Sequence, residues 1–386
     1  MKILISGAGL AGLTLAYWLH RYGFRPVIIE KARGLRRDGY GIDFFGTGYD
    51  VATRMNLIET LKTQQIPIEY IAYLEETGAI ATKMDITLME KVMRGKYMAL
   101  MHWTLEETLY DAVKNDVDVR FGRTLKAVQQ SAQAVNVVFD DDLTETFDLL
   151  IGADGIHSNT RALVFGPETQ FSHYMGYTIA CVPIPDRYRI GRAWKNYTEP
   201  GRQVGAYPSS KPGEVIATFM YQTPDEGYIP REQRLPRLQQ VFAGMGWMTQ
   251  DMLNDIHDPS AIYMDTVTQI HMPSWKEGRV ALVGDACGCM TLISGQGASM
   301  ALGGAYVLAE ALHKLPDYQA AFRHYEQQMR PPIETRQKSA RSFAKAFVPG
   351  STWEMKMQRL VMNVVLRDAF IGLLRRQFGS ESILSA

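Results

Sequence analysis

Apolar and polar positions fall first into a strand, helix, strand rhythm. An apolar run at 2–6, a stripe of helical period over 10–22 and a second apolar run at 26–30 predict a βαβ unit with a right-handed crossover. Leu13, Ala16, Tyr17, Leu19 and His20 carry the helical period, and Gly23 stands where a C-terminal cap ends it. Short strands are expected at 70–74 and 80–84, turned at Glu76-Thr77-Gly78, then a helix over 103–114 and three strands between Asp118 and Phe147. From about 171 to 269 the pattern changes to long alternating segments rich in Tyr, Phe and Thr. In 214–222 the alternation puts Val215, Ala217, Phe219 and Tyr221 on one face and Ile216, Thr218, Met220 and Gln222 on the other, leaving open which face meets a ligand. A buried strand returns at 279–283, followed by a helix from about Ala298 and a long helical run from Tyr318 that Pro331-Pro332 is expected to kink or break. Beyond Ser351 an amphipathic helix, with Leu360, Val361, Val364 and Val365 among its apolar positions, is expected to end near Phe378.

The fold class that follows is α/β, a discontinuous Rossmann-like nucleotide domain with a second, mostly antiparallel β domain and a C-terminal helix. The boundaries expected are 1–70, 97–170 and 268–340 for the first, 71–96 and 171–267 for the second, and 341–386 for the C-terminal helical segment.

Charge narrows the partners. Lys+Arg and Asp+Glu are equal at 41 each, so no long-range field draws the chain to nucleic acid or anionic lipid, and a small, weakly charged molecule is the expected partner. Three cysteines, Cys181, Cys287 and Cys289, are too few for a disulfide framework and suit a reducing cytoplasm. Cys287 and Cys289 read as a small-residue loop, and with no third ligand nearby no metal is expected. No run of about 18 residues lacks charge, so no integral membrane association is expected, and the chain reads as a cytoplasmic monomer or homodimer.

Gly7, Gly9 and Gly12, with Ala11 among them, follow the first strand and open the helix, the context in which such glycines serve a tight turn, a close approach of pyrophosphate and helix–strand packing. Glu30 lies 18 positions past Gly12 at the end of the second strand, where a carboxylate accepts hydrogen bonds from ribose hydroxyls. Lys31 and Arg33 lie just beyond it, and Arg33 is preferred over Arg36 and Arg37 as a contact of the adenosine or of an incoming nicotinamide cofactor. Gly284-Asp285 closes a buried strand, and Gly295-Gln296-Gly297-Ala298 starts a helix whose positive end suits the electron-rich edge of a reduced flavin.

Together with Asp148-Leu-Leu-Ile-Gly-Ala-Asp-Gly-Ile-His-Ser-Asn-Thr-Arg161, these segments resemble the three fingerprints of single-component FAD monooxygenases of the para-hydroxybenzoate hydroxylase type. The length and the C-terminal helix look similar to the tetracycline-inactivating, antibiotic-modifying members. The resemblance implies FAD as resident cofactor and NAD(P)H as transient co-substrate. It also implies O2 reacting through a flavin C4a-hydroperoxide, and hydroxylation of an aromatic or polyketide-like molecule. It places Asp154 and Gly155 near the pyrophosphate, Arg161 in support of that loop, Asp285 at the ribityl-phosphate region, and Gly41 and Asp43 in a loop over the flavin. Two departures stand out: Thr291 and Leu292 occupy positions where the family carries proline, and His102 stands in place of an arginine that reaches the cofactor. His157 reads as a loop residue rather than a base. Substrate candidates are Tyr177, Trp194, Arg202, Tyr207, Phe219, Tyr221, Thr291 and Leu292, and no residue is singled out as catalytic. The C-terminal helix is expected to pack across the two domains. The rival readings are an FAD-dependent reductase or dehydrogenase and a non-catalytic flavin-carrying binding protein.

Overall fold

The computed structural model describes residues 1–35, 39–291, 295–365 and 382–384. Two sheets organise it. One is six-stranded, ordered Lys276–Glu277, Val280–Leu282, Leu149–Gly152, Lys2–Ser6, Arg25–Glu30 and Asp118–Phe121, and parallel except for its first edge strand. Its inner strands are nearly continuous runs of Ile, Leu and Val because helices or strands cover both faces, as parallel sheets require. On one side the Leu10–Arg21 and Gly297–Lys314 helices pack against it and against each other. The nucleotide-type sheet is thus assembled from three distant stretches of chain.

The second sheet has seven strands, ordered Tyr263–Ile270, Ser172–Pro185, Glu214–Gln222, Arg202–Pro208, Ala193–Glu199, Tyr70–Leu74 and Ile80–Asp85. Every neighbouring pair is antiparallel except Ala193–Glu199 with Tyr70–Leu74. Its outer face is closed by the Arg231–Val241 helix, whose Leu238, with Phe242 just beyond it, packs on Val215, Ala217, Phe219 and Tyr221. A two-stranded antiparallel ribbon, Gly41–Phe45 with Tyr97–Met101, contributes residues to both cores. Among the described residues no helix is long and apolar enough to cross a membrane.

Two expectations need correction. Between Asp118 and Phe147 there are four strands: Asp118–Phe121 joins the parallel sheet, while Leu125–Gln130, Val135–Phe139 and Thr144–Phe147 form a separate meander. Of the kink or break expected at Pro331-Pro332, the break does not occur, because one helix runs over Tyr318–Phe347. The carbonyls those prolines leave without an amide partner belong to Gln327 and Gln328, both exposed, so water can satisfy them. The C-terminal helix is described over Thr352–Val365, and its expected extension to Phe378 lies outside the described residues.

The tightest backbone packing lies at the start of the Leu10–Arg21 helix. A Cβ on Gly12 would sit 2.0 Å from the Gly7 carbonyl oxygen, and one on Gly7, whose φ is +111°, would sit 2.4 Å from that of Ala153. Nothing lies within 4 Å of the corresponding point at Gly9. Gly12→Ala is therefore expected to destabilise the protein by about 3 kcal/mol, whereas Gly9→Ala shifts stability by less than about 1 kcal/mol. Urea unfolding of the two variants checks the contrast.

Candidate cofactor and substrate site

Between the two sheets runs one cavity of about 1270 Å³. Single-ligand pockets span roughly 300–1,000 Å³, so this one has room for a dinucleotide and a further molecule. One wall is built by the glycine-rich turn. Gly7, Gly9 and Ala11 line it, and Glu30 closes its end. The Glu30 carboxylate is held on both sides, accepting from Ala8 N at 3.1 Å and Ala32 N at 2.8 Å. Lys31 lines the same end. Arg33 is exposed and outside the cavity wall, a correction to its expected contact, and Arg123 lines the cavity instead. Arg36 and Arg37 lie outside the described residues.

The mid-chain segment forms the next part of the wall. Asp154 accepts from Thr160 N and Thr160 Oγ1, each at 2.8 Å, from Ser6 Oγ at 3.3 Å, and from Ser158 Oγ. Those bonds hold the Gly155 turn, which faces open space in the cavity. Arg161 does not reach the cavity. It is fully buried, and its guanidinium donates to Ala286 O at 3.0 Å, to Ile156 O at 2.6 Å and to Glu168 at 2.7 Å. It thereby ties the mid-chain loop to the segment after Gly284. His157 lies between Glu168 at 2.9 Å and Asp265 at 3.4 Å, and these carboxylates hold its pKa up to about 10. The loop residue expected there is a charged bridge to the Tyr263–Ile270 strand.

The third segment completes the wall. Asp285 lines the cavity, and burial raises its pKa to about 6. Gly295, Gly297 and Ala298 line it as well, and Gly297 opens the Gly297–Lys314 helix with nothing within 4 Å of where its Cβ would stand. Gly12 and Gly284 serve packing, and Gln296 is turned to Arg336, so these three do not line the cavity. Gly41, Asp43 and His102 do. Burial lowers the His102 pKa to about 4, so near neutrality it brings no charge in place of the family's arginine. Thr291 lines the cavity with φ +131°, a strained conformation for a β-branched residue, and Leu292 lies outside the described residues.

The opposite wall is the inner face of the seven-stranded sheet. Trp194 and Tyr207, with ring centroids 5.4 Å apart, line it, joined by Ile179, Gln203, Thr218 and Met220. Four expected substrate residues are elsewhere. Phe219 and Tyr221 point into the core beneath the Arg231–Val241 helix, so the even-numbered face of Glu214–Gln222 is the one that meets the cavity. Arg202 is paired with Glu199 and donates to Val241 O and Ala243 O. Tyr177 packs with Met220, Val267 and Val348 and accepts from Gln222 Nε2 at 3.2 Å. Residues the sequence reading passed over include Tyr40, Tyr97 and Tyr263, which line the cavity where the sheets approach. Exposed Trp353, Met357 and Val361 of the Thr352–Val365 helix line its mouth.

The family described as "FAD binding domain" matches residues 1–331. The chain belongs to this FAD-binding family. A flavin-dependent monooxygenase of an unknown prokaryotic organism is 31% identical over 340 residues, covering 87% of each chain. The crystal structure of the tetracycline destructase Tet(51) is 28% identical, superposes with a TM-score of 0.84 and covers 97% of each chain. HpxO of Klebsiella pneumoniae, solved with FAD and uric acid, shares the fold at a TM-score of 0.83 and 23% identity, covering 99% of this chain and 97% of its own. The resemblance carried by the three sequence segments therefore holds, and the chain is a FAD-dependent monooxygenase. The residues present fit that cofactor: the openings at Gly9, Gly155 and Gly297 form a cradle that side chains would fill.

Two measurements probe this wall. Asp285 is harder to ionise in the folded protein than in the unfolded chain, so its contribution falls as pH rises from about 4 to about 6 and stays unfavourable above. Asp285→Asn is expected to stabilise cofactor-stripped protein at pH 7 by ~1–3 kcal/mol, with no gain near pH 3, while weakening FAD binding; urea unfolding at both pH values and flavin titration test it. Proline, fixed near φ −65°, cannot adopt the Thr291 conformation. Thr291→Pro is thus expected to weaken FAD binding at least about tenfold, and Thr291→Gly to stabilise the protein by about 1 kcal/mol, read by flavin titration and thermal unfolding.

Proposed function

We propose that this FAD-dependent monooxygenase uses NAD(P)H and O2 to hydroxylate an aromatic or polyketide-like small molecule carrying a phenol or enol. The observation that carries the reading is the pairing of walls across one cavity: a glycine-lined nucleotide cradle faces a floor that includes the uncharged Trp194, Tyr207, Ile179, Thr218 and Met220. When bound, FAD supplies the redox and oxygen-transfer chemistry. The chain's own residues bind, orient and exclude water. Glu30 would hold the ribose, and the openings at Gly9 and Gly155 with the Leu10–Arg21 helix terminus would take the phosphates. Asp285 and the amides at Gly295 to Ala298 would meet the flavin end. The large apolar floor suits a planar molecule, as in the relatives named for tetracycline and crystallised with uric acid.

The test is to purify the protein with its yellow cofactor and screen phenolic and enolic polycycles, tetracycline among them, for stimulated oxidation of NADH and NADPH. Products formed under labelled O2 are then weighed. Gain of one labelled oxygen atom is expected. Product lacking oxygen from O2 identifies a reductase or dehydrogenase instead, and tight ligand binding with no stimulated NAD(P)H oxidation identifies a flavin-carrying binding protein.

A further inference from the structure

We propose that Asn196 and Thr218 determine substrate choice, taking a hydroxyl and a neighbouring carbonyl on one edge of the molecule at a gap in the cavity floor left by Gly205. The inference rests on the hydroxylase reading and narrows its substrate class to phenols or enols with a carbonyl beside the hydroxyl. It begins with strand register. Asn196 pairs with Tyr73 on one side and Gly205 on the other, and Gly205 pairs with Thr218. Residues opposite each other in a sheet share a face, as do residues two apart along a strand. Tyr73, Thr218 and Trp194, the last two positions before Asn196, all line the cavity, so Asn196 and Gly205 belong to the face that meets it.

The rows on either side of this one are internally satisfied. Trp194 and Tyr207 pack edge to face with centroids 5.4 Å apart. In the other flanking row Gln203 Nε2 donates to Thr198 Oγ1 at 3.0 Å, next to Met220. The middle row differs. A Cβ on Gly205 would stand 2.5 Å from Asn196 Oδ1 and 2.8 Å from Thr218 Oγ1, so the two side chains lean over the gap from opposite strands. Asn196 is 2% exposed, yet its carboxamide oxygen takes no hydrogen bond from any described residue. The Thr218 hydroxyl makes none with a described residue either.

A buried carbonyl oxygen without a donor costs stability and is uncommon in folded proteins. An apolar side chain of similar size at 196 would avoid that cost, so the carboxamide points to a ligand that completes it. The chemistry of the pair says what kind. Oδ1 can only accept, which requires a substrate hydroxyl, whereas the Thr218 hydroxyl can donate, which suits a substrate carbonyl. Because both oxygens flank the place of one missing side chain, a hydroxyl and a carbonyl on neighbouring carbons can meet them together. A phenol with no carbonyl satisfies Asn196 alone. Sites built to hydrogen-bond a group discriminate strongly against the analogue that lacks it, since the protein group is then left unpaired.

The experiment titrates oxidised holoenzyme with 2-acetyl-1-naphthol and 2-ethyl-1-naphthol, which match in shape and differ in the carbonyl, and follows the flavin absorbance. FAD affinity is measured alongside. Wild type should bind the acetyl compound about tenfold or more tightly than the ethyl compound. Thr218→Val, which keeps the shape and removes the hydroxyl, should abolish that preference by weakening the acetyl compound alone, and Thr218→Ser should restore it. Asn196→Leu should weaken both compounds about tenfold or more, because both carry the hydroxyl, and should leave FAD affinity unchanged. The two Thr218 arms carry the test if Asn196→Leu does not fold. The proposal is overturned if wild type shows no preference or binds neither compound, if Thr218→Val keeps the preference or Thr218→Ser lacks it, or if a folded Asn196→Leu binds both as wild type does or loses FAD affinity in step. Hydroxylation is scored separately from labelled O2. Failure of the binding pattern with hydroxylation intact removes this inference alone, and failure to hydroxylate any panel member removes the reading beneath it.

Discussion

Backbone approaching backbone without side chains between is the constraint on which this protein depends. The strand ending at Ser6 runs parallel to the strand ending at Gly152, and just beyond their ends Gly7 meets the Ala153 carbonyl so closely that a Cβ on Gly7 would overlap it. That contact brings two segments nearly 150 residues apart into a single wall. Gly12 repeats the logic within the first turn of the helix, and the opening at Gly9 is what remains when its neighbours are packed this tightly. The cradle is therefore a consequence of sheet packing, not an addition to it.

Charge is used to hold the wall together more than to bind through it. Arg161 donates through its two terminal nitrogens to Ala286 O, Ile156 O and Glu168, Glu168 also contacts His157, and His157 reaches Asp265 on the other sheet. The chain of contacts connects the mid-chain segment and the segment after Gly284 to the seven-stranded sheet. A buried guanidinium with several carbonyl and carboxylate partners is costly to disrupt, because removing one member leaves the others desolvated without partners. By contrast the floor offers uncharged Trp194, Tyr207, Ile179 and Met220, and burial makes two of the carboxyls that line the cavity, Asp43 and Asp285, harder to ionise.

Much of this was legible in the order of residues. The glycines, Glu30 and the strand ends that carry Asp154 and Asp285 are local features, since turn geometry and helix starts depend on neighbours a few positions away, and so their spacing carries meaning without knowledge of the fold. The four-strand count between Asp118 and Phe147 was missed because short strands joined by tight turns blur into one alternating run. At Pro331-Pro332 the residues forbid two hydrogen bonds but do not say whether water can replace them, and the exposure of Gln327 and Gln328 answers that.

Sequence alone determined that a nucleotide cradle exists, which acids stand at its strand ends, and that Glu214–Gln222 has two distinct faces. Tertiary structure decided which face the cavity meets. Phe219 and Tyr221 have the chemistry of ligand contacts, yet the Arg231–Val241 helix covers them, and Thr218 and Met220 are left to line the site. It also decided that Asp43 and Tyr97, 54 positions apart, share a proton donor and acceptor at 2.6 Å. Periodicity tells which residues lie on the same side of one element; pairing register and the packing of other elements, which arise from contacts distant in sequence, determine what that side faces.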